Sequence, residues 1–125
     1  MAETRFWDAV LRAVEARLQE PFLFVGDWNT GRHRLDAIGK TFVCAEHFGR
    51  LSTLGWTDMW RHHNPGETEW TWYSKLKRGA RGNGFRLDHA FATPSLMPRI
   101  TSCRYSHIEQ EAGISDHSLL TLEVE

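Results

Sequence analysis

The stretch Phe22-Leu23-Phe24-Val25-Gly26-Asp27-Trp28-Asn29 places a short apolar run directly before an acid and an amide. Four consecutive apolar residues between Pro21 and Gly26 predict a short buried strand over residues 22–25. Asp27 and Asn29 then follow the end of that strand. In that position the two side chains can serve a site at the sheet edge, or bond their own backbone in a turn.

Two later stretches combine polar residues with an apolar run in the same way. Arg86-Leu87-Asp88-His89 leads into Ala90-Phe91-Ala92, and Ser115-Asp116-His117-Ser118 leads into Leu119-Leu120-Thr121-Leu122. Each apolar run predicts another buried strand. Acids, an amide and an imidazole at separate strand ends can converge on one site, and that mixture suits metal-assisted phosphoryl chemistry.

Each residue type in these clusters has a defined use in that chemistry. Carboxylates bind Mg²⁺, which is a hard cation, and an aspartate can orient or deprotonate an attacking water. An amide such as Asn29 donates a hydrogen bond to a phosphate oxygen, and a histidine held by an aspartate can stay protonated beside a phosphate. Taken alone each cluster is a weak signal, and its strength comes from the combination.

Composition describes an ordinary globular chain of one domain. The 125 residues are 41% hydrophobic and 25% charged, with a net charge of −1, so the whole chain has no basic excess. No apolar run approaches the roughly 20 residues of a membrane helix, and the N-terminus lacks the layout of a secretion signal. Cys44 and Cys103 are expected to be free, buried thiols, which predicts a cytoplasmic protein without a membrane partner.

A basic segment from Lys75 to Arg86 stands out against this balance. It holds five basic residues and no acid, interleaved with Gly79, Gly82 and Gly84. Such a loop between two strands can contact a phosphate backbone, or it can be a solvated hairpin loop; charge alone favours neither.

The remaining periodicity predicts an α/β unit with two helices and about five strands. The expected helices are 5–19, with Thr4 as N-cap, and 42–54, ended by Gly55. A hairpin is expected between 70–74 and 85–92, with strands over 100–108 and 119–124 and a loop over 109–114. Residues 57–65 are expected to be irregular or a short helical turn.

Four motifs in order carry a resemblance to a known family: Gly-Asp-Trp-Asn at 26–29, Thr-Trp-Tyr-Ser at 71–74, Gly-Phe-Arg-Leu-Asp-His at 84–89 and Ser-Asp-His-Ser at 115–118. Together they resemble the endonuclease/exonuclease/phosphatase superfamily, closest to the exonuclease III and abasic-site endonuclease group. The resemblance runs from about Pro21 to the C-terminus. It implies a hydrolase that cleaves DNA phosphodiesters with Mg²⁺, or Mn²⁺ in its place.

The resemblance also implies a role for each site residue. Asp27 would activate the nucleophilic water and help bind the metal, and Asn29 would hydrogen-bond the scissile phosphate. Asp88 would pair with His117, which stabilises the pentacovalent phosphate, and Asp116 would help hold the metal. The resemblance implies apolar substrate contacts at Trp72, Phe85 and Leu87. The basic segment adds Arg86 and Lys75 as expected substrate contacts.

The family fold is a four-layer α/β sandwich, and this chain resembles its C-terminal half only. Residues 1–125 are therefore expected to form one partial domain, a mostly antiparallel sheet with two helices. The asparagine, the metal-binding glutamate and the tyrosine that the first half supplies are not found. An apolar face is then expected to be bare and to bind the missing half or a second copy of the chain: Phe22, Phe24, Ala90, Ala92, Leu120 and Leu122.

Three functions stay open from the sequence. The first is a metal-dependent DNA nuclease that is incomplete as an isolated chain. The second is a non-catalytic fragment that binds nucleic acid or a protein. The third is a phosphatase or phosphodiesterase of the same superfamily that acts on another phosphoester.

Overall fold

The computed structural model of the chain describes residues 2–39 and 42–125. Eleven helices and strands follow one another in these ranges: α1 (Ala2–Ala16), β1 (Leu23–Asp27), α2 (Ala45–Leu54), β2 (Thr57–Asp58), α3 (Met59–His63), β3 (Trp72–Lys75), β4 (Arg81–Phe85), β5 (Asp88–Ala92), β6 (Ile100–Ser106), α4 (Ile108–Glu111) and β7 (Leu119–Val124). Two 3₁₀ turns, Lys77–Gly79 and Met97–Arg99, lie between them. The predicted α/β class is confirmed.

All strand pairs among the described residues are antiparallel, and they form three separate sheets. The first has the order β1-β5-β2, the second joins β3 to β4, and the third joins β6 to β7. The sequence predicted one sheet of about five strands. The structure has seven strands in the described residues, and they are divided among three sheets. Residues 57–58 and 81–85 supply the additional strands.

The predicted hairpin around the basic segment is only half right. β3 pairs with β4, with Trp72 opposite Phe85, and not with residues 88–92. Arg86 and Leu87 leave that ladder, and the chain then enters β5, which pairs with β1 and β2. The alternating pattern of 85–92 therefore spans two strands with a break between them.

The helices begin and end close to the predicted positions. α1 begins at Ala2, so Thr4 lies inside the helix and not at its N-cap. α2 begins at Ala45, after Phe42, and ends at Gly55, whose φ of 112° is the left-handed conformation that glycine favours. Residues 59–63 form the short helical turn that was one of the two expectations for 57–65, whereas 108–111 form a short helix where the end of a strand and a loop were expected. Of the described helices, none has the length and apolar character needed to cross a bilayer.

β5 is the centre of the fold because both of its faces are buried. Phe91 packs with the helix side of the molecule, in a cluster completed by Trp7, Val14, Phe48, Leu51 and Trp56. Ala90 and Ala92 point the other way and pack with α3 and β6, in a cluster completed by Met59, Trp60, Leu96, Ile100 and Cys103.

The expected bare face is therefore wrong for its central members. Ala90 and Ala92 are fully buried, and Leu120 and Leu122 are partly buried against the same cluster. The reason is that α3 and the β6–β7 hairpin cover this side of β5. Phe22 is the member of the set that is exposed, at 36%, whereas Phe24 packs against the cluster around Phe91. Val25, which was not in the set, is 52% exposed.

Candidate active site

Asp27 and Asp88 meet because of the register between two strands. Asp27 is the last residue of β1, Asp88 is the first residue of β5, and the two are paired directly across the antiparallel ladder. Residues opposite each other in such a pair project from the same face of the sheet, with their Cβ atoms about 5 Å apart. Two carboxylates are thereby placed side by side at one end of the central sheet.

His117 completes this cluster from a distant part of the chain. Its Nδ1 lies 2.8 Å from Oδ2 of Asp88, and its Nε2 lies 3.7 Å from Oδ2 of Asp27. Its backbone N–H donates to the hydroxyl of Ser115 at 3.1 Å, which shapes the loop before β7. The three side chains that the sequence placed at separate strand ends therefore share one neighbourhood.

The electrostatics of the cluster favour a charged imidazole. Partial burial opposes the charge on His117, but the hydrogen bond to Asp88 and the charges of Asp88, Asp27 and Asp116 outweigh that effect and raise its pKa. The side chain of Asp88 is 13% exposed and that of Asp27 is 48% exposed. Asp88 is thus the enclosed partner of the histidine, and Asp27 is the acid that solvent or substrate can reach.

The same corner of the fold offers ligands for a cation. One potential ligand atom from each of Asp27, Asp88 and His117 lies within 4.8 Å of the others. A protonated imidazole has no lone pair for a metal, so the two carboxylates are the ligands that fit Mg²⁺, which often binds through one or two carboxylates and keeps several waters. Asp116 is exposed and stands outside the cluster of three, although its charge contributes to the field at His117.

Asn29 lies in a tight turn directly after β1. Its φ is 52°, and its backbone N–H donates to Oδ1 of Asp27 at 2.8 Å, so the local turn considered from the sequence is present. Trp28 fixes this turn to the next strand, because its backbone N–H donates to Leu87 and its indole N–H donates to the carbonyl of His89. The Asn29 side chain is left exposed beside Asp27.

Arg86 does not reach this site, which corrects its expected role as a substrate contact. Its guanidinium is buried and bonds Oδ1 of Asp36 at 2.6 Å and both oxygens of Asp58 at 2.5 and 3.2 Å. Burial opposes the charge on Asp58, but Arg86 outweighs that effect and lowers the pKa of the carboxyl. The physical reason for the correction is that a buried cation needs buried acids, and these two acids occupy its donors.

Tyr105 links this buried ion cluster to the candidate site. Its hydroxyl accepts from Nη1 of Arg86 at 3.2 Å and donates to the backbone carbonyl of Asp88. Burial raises the pKa of Tyr105, so the phenol stays protonated and remains a donor. The position of Asp88 is therefore supported from inside the protein.

The other expected substrate residues lie along the β3–β4 ladder and the segment after it. The rings of Trp72 and Phe85 are 5.7 Å apart at 42°, and both are half-buried. Leu87 is 6% exposed, and Thr71 accepts a hydrogen bond from its backbone N–H. Lys75 is exposed at the far end of β3, opposite Arg81, and Arg78 and Arg81 of the same hairpin are exposed as well.

Several residues around the site were missed by sequence reasoning. Asp36 lay in a predicted loop, Asp58 in a predicted irregular segment, and Glu69 and His107 outside every motif. The long-range partner of each lies more than 20 residues away, so no local pattern reveals it. A local signal exists at Asp58, which caps the N-terminus of α3 by accepting from the backbone N–H of Arg61 at 3.2 Å. One indirect signal existed: an arginine inside the apolar surroundings of residues 85–92 requires an acid partner.

Comparison with known proteins agrees with this geometry. Residues 1–117 match the endonuclease/exonuclease/phosphatase family. The chain belongs to this family. A DNA-(apurinic or apyrimidinic site) endonuclease from Dictyostelium discoideum is 30% identical over an alignment of 107 residues. The match covers 75% of this chain and 30% of that protein.

Solved structures show the same fold in the family. The 3′-5′ exonuclease NExo from Neisseria meningitidis superposes with a TM-score of 0.83 at 24% identity, over 99% of this chain and 54% of that one. An AP endonuclease from Archaeoglobus fulgidus gives a TM-score of 0.81 at 23% identity, over 97% of this chain and 52% of that one. The chain therefore spans about half the length of these structures, and less of the curated relative.

Proposed function

We propose that this chain is the C-terminal half of a metal-dependent phosphodiesterase that acts on DNA. The observation that carries the proposal is the cluster of Asp27, Asp88 and His117, in which two carboxylates and a charged imidazole meet at one sheet end. Membership of the endonuclease/exonuclease/phosphatase family supports hydrolysis of a phosphoester.

The proposed mechanism follows from the exposure and charge of each group. Asp27, the accessible acid, orients the attacking water and accepts its proton. His117, whose pKa is raised, presents a positive charge to the developing negative charge on phosphorus, while Asp88 fixes its ring and supports that charge. Asn29 donates its side-chain amide to a phosphate oxygen. A divalent ion held by Asp27 and Asp88, with Asp116 close by, supplies Lewis-acid charge when bound.

DNA is the proposed substrate on the basis of the surface near the cluster. Lys75, Arg78 and Arg81 are exposed on the β3–β4 hairpin, and the Trp72–Phe85 pair lies at its base. Cations of this kind bind a phosphate backbone, and aromatic rings stack with bases or sugars. The Dictyostelium relative is named as an abasic-site endonuclease, and we propose the same class of DNA lesion, with 3′ ends as the alternative.

Full activity is proposed to need the part of the family fold that this chain does not span. β1, an outer strand of the central sheet, leaves Val25 52% exposed two residues before Asp27. We propose that the other half of a longer protein covers this side, with self-association as the alternative. The cytoplasmic location remains a prediction, supported by the two free cysteines Cys44 and Cys103.

The test is cleavage of a labelled duplex containing one abasic site, with Mg²⁺ or EDTA, by the full-length protein that contains this chain. We expect Mg²⁺-dependent strand cleavage that Asp27→Ala and His117→Ala each reduce by at least about a thousandfold, as for other catalytic residues of this kind. Asp8→Ala, an exposed acid on α1, is the matched control and should cleave normally. Cleavage at the normal rate by Asp27→Ala or His117→Ala would remove the assignment.

A second candidate function is a binding fragment without catalysis, and the basic hairpin is the observation that favours it. It requires DNA binding that is sensitive to salt and to the hairpin charges, with no cleavage in Mg²⁺ or Mn²⁺. The abasic duplex assay separates the two functions, and the same assay with a 3′-phosphate or a small phosphoester tests the broader phosphatase alternative.

A further inference from the structure

His107 lies at the centre of a hydrogen-bond chain that ends beside His117. Its Nε2 is 2.6 Å from Oε2 of Glu69, and its Nδ1 is 2.6 Å from the hydroxyl of Ser118, the residue that follows His117. Ser118 is 3% exposed, whereas the side chains of His107 and Glu69 are 36% and 31% exposed. A half-exposed pair thus holds a buried hydroxyl adjacent in sequence to the candidate catalytic histidine.

The direction of these bonds is set by Gln110. Its side-chain nitrogen donates to the carbonyls of Thr71 at 3.2 Å and Asp116 at 2.9 Å, so its oxygen is left to accept from Ser118 at 3.2 Å. Because the single proton of the Ser118 hydroxyl goes to Gln110, its oxygen accepts from Nδ1 of His107. The carboxylate of Glu69 accepts from the opposite ring nitrogen.

The same chain is joined to the segment that carries Asp88. The backbone N–H of Ser118 donates to the carbonyl of Thr71 at 2.9 Å. The Thr71 hydroxyl in turn accepts from the backbone N–H of Leu87, directly before Asp88, at 2.9 Å. Each partner of the His117–Asp88 hydrogen bond therefore neighbours a residue that bonds Thr71: Ser118 follows His117, and Leu87 precedes Asp88. Ser118 also belongs to the hydrogen-bond chain from Glu69.

We propose that Glu69 and His107 are positioning residues that hold the loop of residues 115–118 so that the His117 ring stays hydrogen-bonded to Asp88. The catalytic meaning of this role rests on the proposed function, but the positioning itself does not. A half-exposed ion pair contributes little to folding stability, so its removal is expected to disturb the loop while the fold persists. Residues that orient a reacting histidine in this way typically change rates by about ten- to a hundredfold.

The test compares four variants of this chain by NMR and thermal unfolding. Glu69→Ala and His107→Ala break the chain, His107→Asn retains an N–H near Ser118 but not the bond to Glu69, and His63→Ala changes an exposed histidine of α3 as the control. The readouts are the downfield imidazole N–H resonance of His117 and the hydrogen-exchange rate of the Ser118 amide. If the imidazole proton of His117 exchanges too fast to be observed, the exchange rate of the Ser118 amide is the deciding readout.

We expect the His117 resonance to be lost and Ser118 to exchange at least about tenfold faster in Glu69→Ala and His107→Ala, with β5 amides unchanged. His107→Asn should fall between these variants and the wild type, and His63→Ala should match the wild type. Should His107→Ala fail to fold, Glu69→Ala alone decides. Wild-type exchange at Ser118 in a folded Glu69→Ala protein overturns the proposal.

A kinetic arm in the full-length protein connects the positioning to the reaction. Glu69→Ala is expected to lower kcat about tenfold or more while leaving KM unchanged, because Glu69, His107 and Ser118 are not among the proposed DNA contacts. If the wild type cleaves no DNA, the proposed function fails but the NMR result still decides the positioning role. If the wild type cleaves and Glu69→Ala has normal kcat, the positioning role is rejected while the proposed function stands.

Discussion

Arg86 and Asp58 form a two-point ion pair in the core, with guanidinium nitrogens 2.5 and 3.2 Å from the two carboxylate oxygens. Both side chains are nearly inaccessible to solvent. A second acid, Asp36, takes a third donor of the same arginine. The charge of Arg86 is thus satisfied by protein groups. Tyr105 connects this ion cluster to Asp88, because its hydroxyl accepts from Arg86 and donates to the backbone carbonyl of Asp88.

The first prediction concerns the stability that depends on this ion cluster. Arg86→Met leaves Asp58 buried without its cation and leaves Asp36 with Arg61 alone, so the free energy of unfolding should fall by about 3–5 kcal/mol, measured by urea unfolding. Arg50→Met, on the exposed surface of α2, is the matched control and should change stability by less than about 0.5 kcal/mol. A loss of similar size in both variants would show that Arg86 has no special structural role.

The second prediction concerns His89, which is buried and bonds the carbonyl of Thr30 through Nε2 at 2.7 Å. Burial and the nearby Arg86 lower its pKa from 6.5 to about 4. Between these two pH values the unfolded histidine binds a proton and the folded one does not, so stability should fall as the pH decreases through this range. Urea unfolding across the range should show a smaller decrease for His89→Gln, which does not titrate. Equal slopes would mean that His89 is not the group responsible.

The third prediction concerns His117, whose effect has the opposite sign and a different pH range. Its folded pKa lies above the ordinary 6.5, so its stabilising contribution is complete below 6.5 and is lost as the pH rises through the raised value. The stability difference between wild type and His117→Gln should therefore shrink on going from slightly acidic to alkaline pH. His63→Gln is the control, and a difference that grows with pH would contradict the raised pKa.

The fourth prediction concerns the cation site. Paramagnetic Mn²⁺ should broaden the NMR signals of residues around Asp27, Asp88 and His117 before other signals, and Mg²⁺ should compete with it. We expect weak binding to this chain alone, lost in Asp27→Asn, little changed in Asp116→Asn and normal in Asp8→Asn. A larger loss in Asp116→Asn than in Asp27→Asn would make Asp116 the principal ligand.

The fifth prediction concerns the basic hairpin. Replacing Arg78 and Arg81 together by Glu should weaken DNA binding and reduce the slope of log affinity against log salt by about 0.9 for each phosphate that the hairpin no longer neutralises. Arg5→Glu with Arg12→Glu makes the same charge change on α1 and should leave affinity nearly unchanged. Fluorescence anisotropy at two or more salt concentrations measures both quantities. Equal effects of the two double variants would exclude a specific role for the hairpin.

The elements with local sequence patterns were predicted best. The strand before Asp27, the helix ended by Gly55 and the two C-terminal strands follow from apolar runs and glycine, and each lies within a few residues of its expected position. The convergence of Asp27, Asp88 and His117 was also expected, because all three sit where an apolar strand begins or ends.

The parts that depend on long-range pairing were not predictable in the same way. Whether residues 88–92 pair with β3 or with β1 is decided by tertiary contacts, since the alternating pattern fits both. The misassignment of Arg86 has the same origin: its place in a basic segment suggests a solvent-facing cation, and only the fold brings Asp36 and Asp58 to it. Glu69 and His107 likewise are brought together only by the fold.

The tyrosine bridge from Arg86 to the Asp88 carbonyl has a consequence for how variants of this protein are interpreted. A mutational scan scored only by turnover would rank Asp36 and Asp58 with the reacting groups, although neither belongs to the cluster of Asp27, Asp88 and His117. Scoring cellular abundance alongside turnover separates the two sets. Substitutions at Asp36 or Asp58 should lower the amount of protein, whereas Asp27→Asn should leave the amount unchanged and abolish the proposed activity.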